Sequence, residues 1–166
     1  MLADDLLDKR LSGIEVLVLD VDGVLSDGRL TFDANGLEYK SFHVHDGYGL
    51  KKLQTAGIKL AIVTGRSSPI VTNRAKELAI KHVIQAADNK LAGFEEVLER
   101  VRVLPANAAY VGDDEPDLPA MRSAGVAIAV ANAVGTVREQ ADWVTLRNGG
   151  EGAVREICER ILAARS

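Results

Sequence analysis

The chain holds a single cysteine, Cys158. One thiol cannot build an internal disulfide framework, and such usage suits a reducing compartment. Cys158 lies on the apolar stripe Val154, Ile157, Cys158, Ile161, Leu162, so core packing is expected of it rather than nucleophilic chemistry. No apolar stretch approaches the length of a membrane span. The first residues, Met1-Leu2-Ala3-Asp4-Asp5, are acidic where a secretory signal would be basic. A soluble cytoplasmic protein is the expectation. Runs of like charge are also missing, and 20 Lys and Arg against 24 Asp and Glu give a net charge of -4. That balance argues against nucleic acid or an anionic membrane as partner, but leaves room for a local basic pocket taking a small phosphorylated substrate. No Gly-x-Gly-x-x-Gly follows the first apolar run, which disfavours a dinucleotide-binding oxidoreductase. Repeats, low-complexity tracts and linkers are absent too. With 47% hydrophobic and 27% charged residues over 166 positions, residues 1–166 read as one globular domain with a full core.

What is present begins with Val16-Leu17-Val18-Leu19, followed at once by Asp20-Val21-Asp22-Gly23. Four branched apolar residues read as a strand buried on both faces. Two carboxylates at its end repel each other unless a cation or a proton intervenes. The junction therefore asks for a divalent metal, phosphate chemistry, or both.

Residues Leu6 to Leu11 read as a helix, and Ile14 to Leu19 as the first strand. From Arg29 to Val44 a β-hairpin is expected: Leu30 and Phe32 alternate with polar neighbours, Asp33-Ala34-Asn35-Gly36 offers a turn, and Leu37 and Tyr39 alternate again. Phe42 and Val44 then fall on the opposite phase, which a bulge near Ser41 or burial of both faces against a partner would explain. Beyond Gly47 strands and helices alternate. A helix is expected over Leu50 to Ala56, a second buried strand over Ile58 to Val63, and a helix opened by Ser68-Pro69. A short strand follows near His82 to Ile84, then a helix capped by Asn89. Later strands are Ala108 to Val111, Val126 to Val130 and Trp143 to Thr145, with a closing helix over Glu151 to Ala163. The fold class is α/β: a single doubly wound parallel sheet, Rossmann-like, with a hairpin inserted at about 28–46.

Ligands of such sheets bind beyond the carboxyl ends of the strands. Four strands deliver to that rim Asp20 and Asp22, then Thr64-Gly65-Arg66, then Lys90, then Gly112-Asp113-Asp114 with Asp117 a turn later. Asp20 can attack phosphorus and form an acyl phosphate. A hard Mg²⁺ held by Asp20 and Asp113 would reduce the repulsion between that anion and a phosphate. Asp22 could protonate the leaving alkoxide and later activate water. Thr64 and nearby amides would donate to phosphoryl oxygens, and Lys90 would neutralise charge on both groups. Each motif alone has a plainer reading: a solvated turn for Asp20-Val21-Asp22, a helix cap for Asp114, a surface lysine for Lys90. Their coincidence on one rim makes the plain readings improbable. The histidines His43, His45 and His82 are favoured as packing or surface groups, with a minority role for His45 at the substrate.

The order of these motifs resembles the haloacid dehalogenase superfamily of phosphatases. Asp20 to Gly28, the segment Phe42 to Gly49, and Gly149 to Glu156 resemble, more narrowly, its 3-deoxy-D-manno-octulosonate 8-phosphate (KDO 8-phosphate) phosphatase subfamily. The resemblance implies no cap domain, and a homotetramer whose hairpins form a central barrel while a neighbouring subunit closes each site. It implies Mg²⁺-dependent hydrolysis of an eight-carbon sugar-acid phosphate, a step towards lipopolysaccharide. By it Asp20 matches the nucleophile and Asp22 the acid/base, whose backbone carbonyl also binds metal. Asp113 matches the third metal ligand, Thr64 and Lys90 the phosphoryl contacts, and Arg66 a substrate-side cation. Gly65, Asp46 and His45 join the substrate-binding set. Asp114 and Asp117 match outer acids without an assigned role. Two departures stand out: His45 replaces a basic arginine or lysine before Asp46-Gly47, and the sequence stops at Ser166, short of tails that can cover a neighbour's site. The alternatives are a phosphatase of another sugar-acid phosphate, such as an N-acylneuraminate 9-phosphate, a phosphoacceptor signalling module, and a non-catalytic binding protein.

Overall fold

A computed structural model describes every residue from Met1 to Ser166. Helix α1 (Asp4–Ser12) leads into β1 (Val16–Leu19), and the hairpin follows as β2 (Thr31–Phe32) and β3 (Glu38–Tyr39). Then come α2 (Val44–Thr55), β4 (Lys59–Val63), α3 (Pro69–Glu77), β5 (His82–Ile84), α4 (Lys90–Val101) and β6 (Ala108–Gly112). A 3-10 turn at Glu115–Asp117 precedes α5 (Leu118–Ser123), β7 (Val126–Ala129), α6 (Gly135–Gln140), β8 (Trp143–Val144) and α7 (Ala153–Ala164).

Six strands form one open parallel sheet in the order β5-β4-β1-β6-β7-β8. The chain builds outward from β1 through β4 to β5, then crosses back to β6 on the other side of β1. This reversal leaves a crevice at the carboxyl end of β1, where ligands of open α/β sheets sit. All four residues of β1 are buried, as its uninterrupted apolar run requires of a central strand. The α/β expectation and the hairpin after the first strand both hold.

Local signals explain several boundaries. The Ser68 hydroxyl accepts from the Ile70 N–H and Pro69 occupies the first turn of α3. Asn89 caps α4 in the same way through the Ala92 N–H, at 3.1 Å. Cys158 is fully buried in α7, as its stripe implies.

Two expectations need correction. Helix α2 begins at Val44, not at Leu50, so His43 and His45 do not lie on an extended segment: His43 caps the helix and His45 sits in its first turn. Gly47 and Gly49 argue against helix by propensity. Packing overrides them, because a Cβ on Gly49 would stand 3.1 Å from the Cys158 Cβ and 3.0 Å from the Arg155 Cδ. Gly49 lets α2 lie close against α7, and Gly47 leaves room for the Arg74 and Leu78 side chains. The second correction is to the bulge near Ser41. The strand ends at Tyr39, and the apolar phase slips because the chain leaves the hairpin, carrying Phe42 under the Arg74 guanidinium.

Candidate active site

Three adjacent strands bring the acids and the hydroxyl together. Asp20 follows β1 and its N–H still donates to Val111 of β6, 3.1 Å away. Thr64 follows β4, and Asp113 follows β6. Lys90 enters from the first turn of α4, where it is buried. Asp20, Asp22, Thr64, Arg66, Lys90 and Asp113 line a cleft of about 430 Å³, with Gly65 and Asp114 also on its wall.

The Lys90 ammonium donates to Asp20 Oδ2 at 2.8 Å and to Asp117 Oδ1 at 2.7 Å. Burial alone would lower the Lys90 pKa, but Asp20 and Asp117 outweigh it and hold the amine charged. Asp117 is the most heavily used acid of the site. Its Oδ1 also accepts from the Tyr110 hydroxyl at 3.0 Å, and its Oδ2 accepts from the Asp113 and Asp114 N–H groups at 3.2 and 3.3 Å. Asp114 takes the capping role that its position suggests, accepting from the Glu115 N–H.

Carboxylate oxygens of Asp20, Asp113 and Asp117 lie within 4.8 Å of one another. Burial pushes the Asp20 carboxyl up to about 6, with Asp117 adding to the shift. Burial, then Asp20 and Asp117, push Asp113 up to about 7. Two buried oxygens here, Asp20 Oδ1 and Asp113 Oδ1, accept no hydrogen bond at all. Buried oxygens without donors are costly. A hard divalent cation between them satisfies both and offsets the repulsion, so the donor set fits Mg²⁺. Asp117 does not fit as a ligand, since both its oxygens are already engaged. The Asp22 carbonyl, which accepts no hydrogen bond within the chain, is free for such an ion. Gly23 makes room for Asp113: its φ is +89°, and a Cβ there would lie 2.0 Å from Asp113 Oδ2.

The Asp22 carboxylate has different neighbours. It meets the Lys40 ammonium through Oδ1 and lies 3.7 Å from Arg66 Nε through Oδ2. Arg66 in turn donates to Glu38 Oε1 at 2.6 Å. Reading the sequence missed Lys40, Glu38 and Tyr110. Lys40 looks like an outward polar residue of an alternating hairpin, and Tyr110 like one more apolar strand residue. Only the tertiary fold brings them to Asp22 and Asp117.

Asp46 and His45 are not brought to this cleft within the chain. Asp46 is buried, and its Oδ1 accepts from the Arg155 N–H, 2.7 Å away in the first turn of α7. The cap position before α7 is Gly152, which has no side chain to cap the helix; Asp46 supplies the missing acceptor from α2. His45 lines a separate cleft with Arg147, Arg155, Glu156 and Glu159. The helical start of α2 turns both residues towards α7.

Residues 48–125 match the haloacid dehalogenase-like hydrolase family. The chain is 46% identical over 155 residues to the 3-deoxy-D-manno-octulosonate 8-phosphate phosphatase KdsC of Escherichia coli, covering 93% of this chain and 82% of that protein. It is 43% identical to the KdsC of Yersinia pestis, over 98% and 86% of the two chains. Among solved structures, the Moraxella catarrhalis 3-deoxy-D-manno-octulosonate 8-phosphate phosphatase, in complex with magnesium, phosphate and KDO, superposes with a TM-score of 0.95 at 45% identity, covering 97% of this chain and 92% of that one. Identity of this order, spanning both the hairpin and the four-motif rim, places the chain in the 3-deoxy-D-manno-octulosonate 8-phosphate phosphatase family of haloacid dehalogenase-like hydrolases.

Proposed function

We propose that this protein is a Mg²⁺-dependent phosphatase that hydrolyses KDO 8-phosphate to KDO and phosphate, in lipopolysaccharide biosynthesis. The observation that carries the chemistry is the pair of buried, unpartnered oxygens on Asp20 and Asp113 beside a lysine that holds Asp20 Oδ2. Bound there, Mg²⁺ supplies positive charge that lets a phosphate dianion approach a carboxylate. Asp20 attacks phosphorus as its bond to the sugar oxygen breaks, and Asp22 donates the proton that the leaving alkoxide takes. Asp22 then accepts a proton from the water that cleaves the aspartyl phosphate, releasing phosphate and restoring Asp20. Thr64 and the Gly65 backbone orient the phosphoryl oxygens, while Lys90 offsets their charge. Asp117 and Tyr110 fix Lys90. Arg66, 44% exposed at the cleft mouth, is the group suited to a substrate anion.

The family relatives favour the eight-carbon acid as substrate. Asp22 so near Asp20 favours turnover over a lasting phosphoryl group, against a signalling module. The hairpin supports a homotetramer: Leu30, Phe32, Leu37 and Tyr39 are each more than half exposed, an apolar surface too large to leave in water. No helix is long and apolar enough to cross a membrane; with one buried thiol, this supports action in the cytoplasm.

The test is phosphate release from KDO 8-phosphate beside a panel of sugar-acid phosphates that includes a nine-carbon 9-phosphate. The highest kcat/KM is expected for the eight-carbon substrate, abolished by chelation and restored by Mg²⁺. Faster turnover of the nine-carbon substrate, or turnover indifferent to chelator, overturns the reading.

A further inference from the structure

Lys40 is a hairpin residue whose side chain is only 1% exposed. It does not line the cleft. Its ammonium lies between two carboxylates, Asp22 on the core side and Glu38 of β3, 3.2 Å away. Glu38 also holds Arg66 at 2.6 Å, and Arg66 returns to Asp22 at 3.7 Å. The result is a closed ring of four alternating charges, two from the hairpin and two from the rim. The Ser68 hydroxyl donates to the second Glu38 oxygen at 3.1 Å, tying the ring to the start of α3. Partial burial would raise the Glu38 pKa, but Lys40, Ser68 and Arg66 together hold it below its ordinary value. A buried lysine is costly unless its charge is matched. Its placement therefore fixes where the two carboxylates can stand.

We propose that Lys40 is a positioning residue for Asp22: from the hairpin, it holds Oδ1 and so fixes the rotamer in which Asp22, protonated on Oδ2, passes that proton to the leaving oxygen and is left as the carboxylate. Oxygen Oδ1 is tethered to Lys40, and Oδ2 is the oxygen left towards Arg66 and the cleft. Without the tether, Asp22 is free to turn towards Arg66 or water, and the proton is no longer held at the alkoxide. The hairpin then serves the chemistry as well as assembly, because only a hairpin docked on the rim delivers Lys40. This inference rests on Asp22 acting as acid/base, as proposed above.

The test compares kcat/KM for two leaving groups, which reports the steps up to phosphoryl transfer to Asp20. A sugar phosphate leaves as an alkoxide and needs a proton; p-nitrophenyl phosphate leaves as a stable phenolate and does not. Lys40→Met keeps the apolar stem and removes the charge. It is expected to lower kcat/KM for the sugar phosphate about a hundredfold, and for the aryl phosphate at least tenfold less. Asp22→Asn should show the same selective loss, and Lys40→Arg should recover part of the sugar-phosphate rate. Glu38→Gln, which leaves the lysine in place, gives the same pattern more weakly and keeps the question answerable if Lys40→Met does not fold. Equal loss on both substrates for Lys40→Met and Glu38→Gln, with the selective pattern intact in Asp22→Asn, overturns the role of Lys40 alone. Wild-type enzyme that hydrolyses neither substrate, or Asp22→Asn without the selective pattern, overturns instead the reading on which it rests.

Discussion

At the rim, Asp117 alone accepts four hydrogen bonds, from a lysine, a tyrosine and two backbone amides. The hairpin pairs only Thr31 with Tyr39 and Phe32 with Glu38, and its large apolar side chains face outward. One region buries its side chains within the chain, and the other leaves its apolar side chains exposed. A two-stranded ribbon is marginal in water on its own. What ties this one down is charge, through Lys40, Glu38, Arg66 and Asp22. The rim thus draws its order from the sheet behind it, whereas the hairpin draws its order from the rim.

The sharpest way to separate the two regions is Asp20→Asn. It removes the proposed attacking group, so phosphate release should fall by about 10⁴-fold or more. It also removes one of the buried like charges, so thermal stability measured without Mg²⁺ should stay level or rise, and the oligomer should persist. Near wild-type turnover would take Asp20 out of the mechanism. Gly23→Ala comes next. A Cβ at 2.0 Å from Asp113 Oδ2 must displace that carboxylate, and the positive φ adds strain. The Mg²⁺ concentration for half-maximal activity should rise about tenfold or more, while sedimentation shows the same assembly. An unchanged Mg²⁺ dependence would mean that Asp113 can move aside without consequence.

These contrasts also explain what could be read from the chain before its fold was known. Asp20, Thr64, Lys90 and Asp113 were legible because each directly follows a strand or opens a helix, and strand ends in a parallel sheet share one edge. The α/β alternation was legible for the same reason: Val16 to Leu19 and the later apolar runs carry their own period. Contacts made across the fold were not. Lys40 sits in a polar, alternating segment, and nothing local says that its ammonium is buried under Asp22. The start of α2 was hidden by Gly47 and Gly49, which make room for Arg74 and Leu78 and for α7 respectively. Nothing local shows that Asp46 Oδ1 accepts from the Arg155 N–H, more than a hundred positions later.

The hairpin supplies the third prediction, smaller for the folded chain than for its assembly. Phe32 is 53% exposed in one chain, so Phe32→Glu should change single-chain stability by no more than about 0.5 kcal/mol. If the apolar faces of the hairpins meet, the same charge is buried among them and the oligomer should dissociate at micromolar concentration, seen by light scattering. If a neighbour also closes the site, activity on the sugar phosphate would fall with dissociation. An oligomer of unchanged size would place the interface elsewhere and leave the exposed hairpin without a partner.

Asp46→Ala is expected to have the smallest effect, and it tests whether α2 serves the core or the substrate. Its Oδ1 accepts from the third residue of α7, where a capping side chain would normally bond. Loss of such an acceptor costs about 1 kcal/mol, or about 2–4 °C in Tm for a chain of this size. Part of that loss is returned, since the other oxygen, Oδ2, is buried without a donor and burial raises the Asp46 pKa. The denaturation midpoint should therefore fall slightly with an unchanged slope, and any rise in KM should follow the loss of folded protein rather than precede it. A KM that rises several-fold at full stability would return Asp46 to the substrate, reached across an interface from a neighbouring chain, and the acceptor at the start of α7 would then be incidental to why an aspartate stands there.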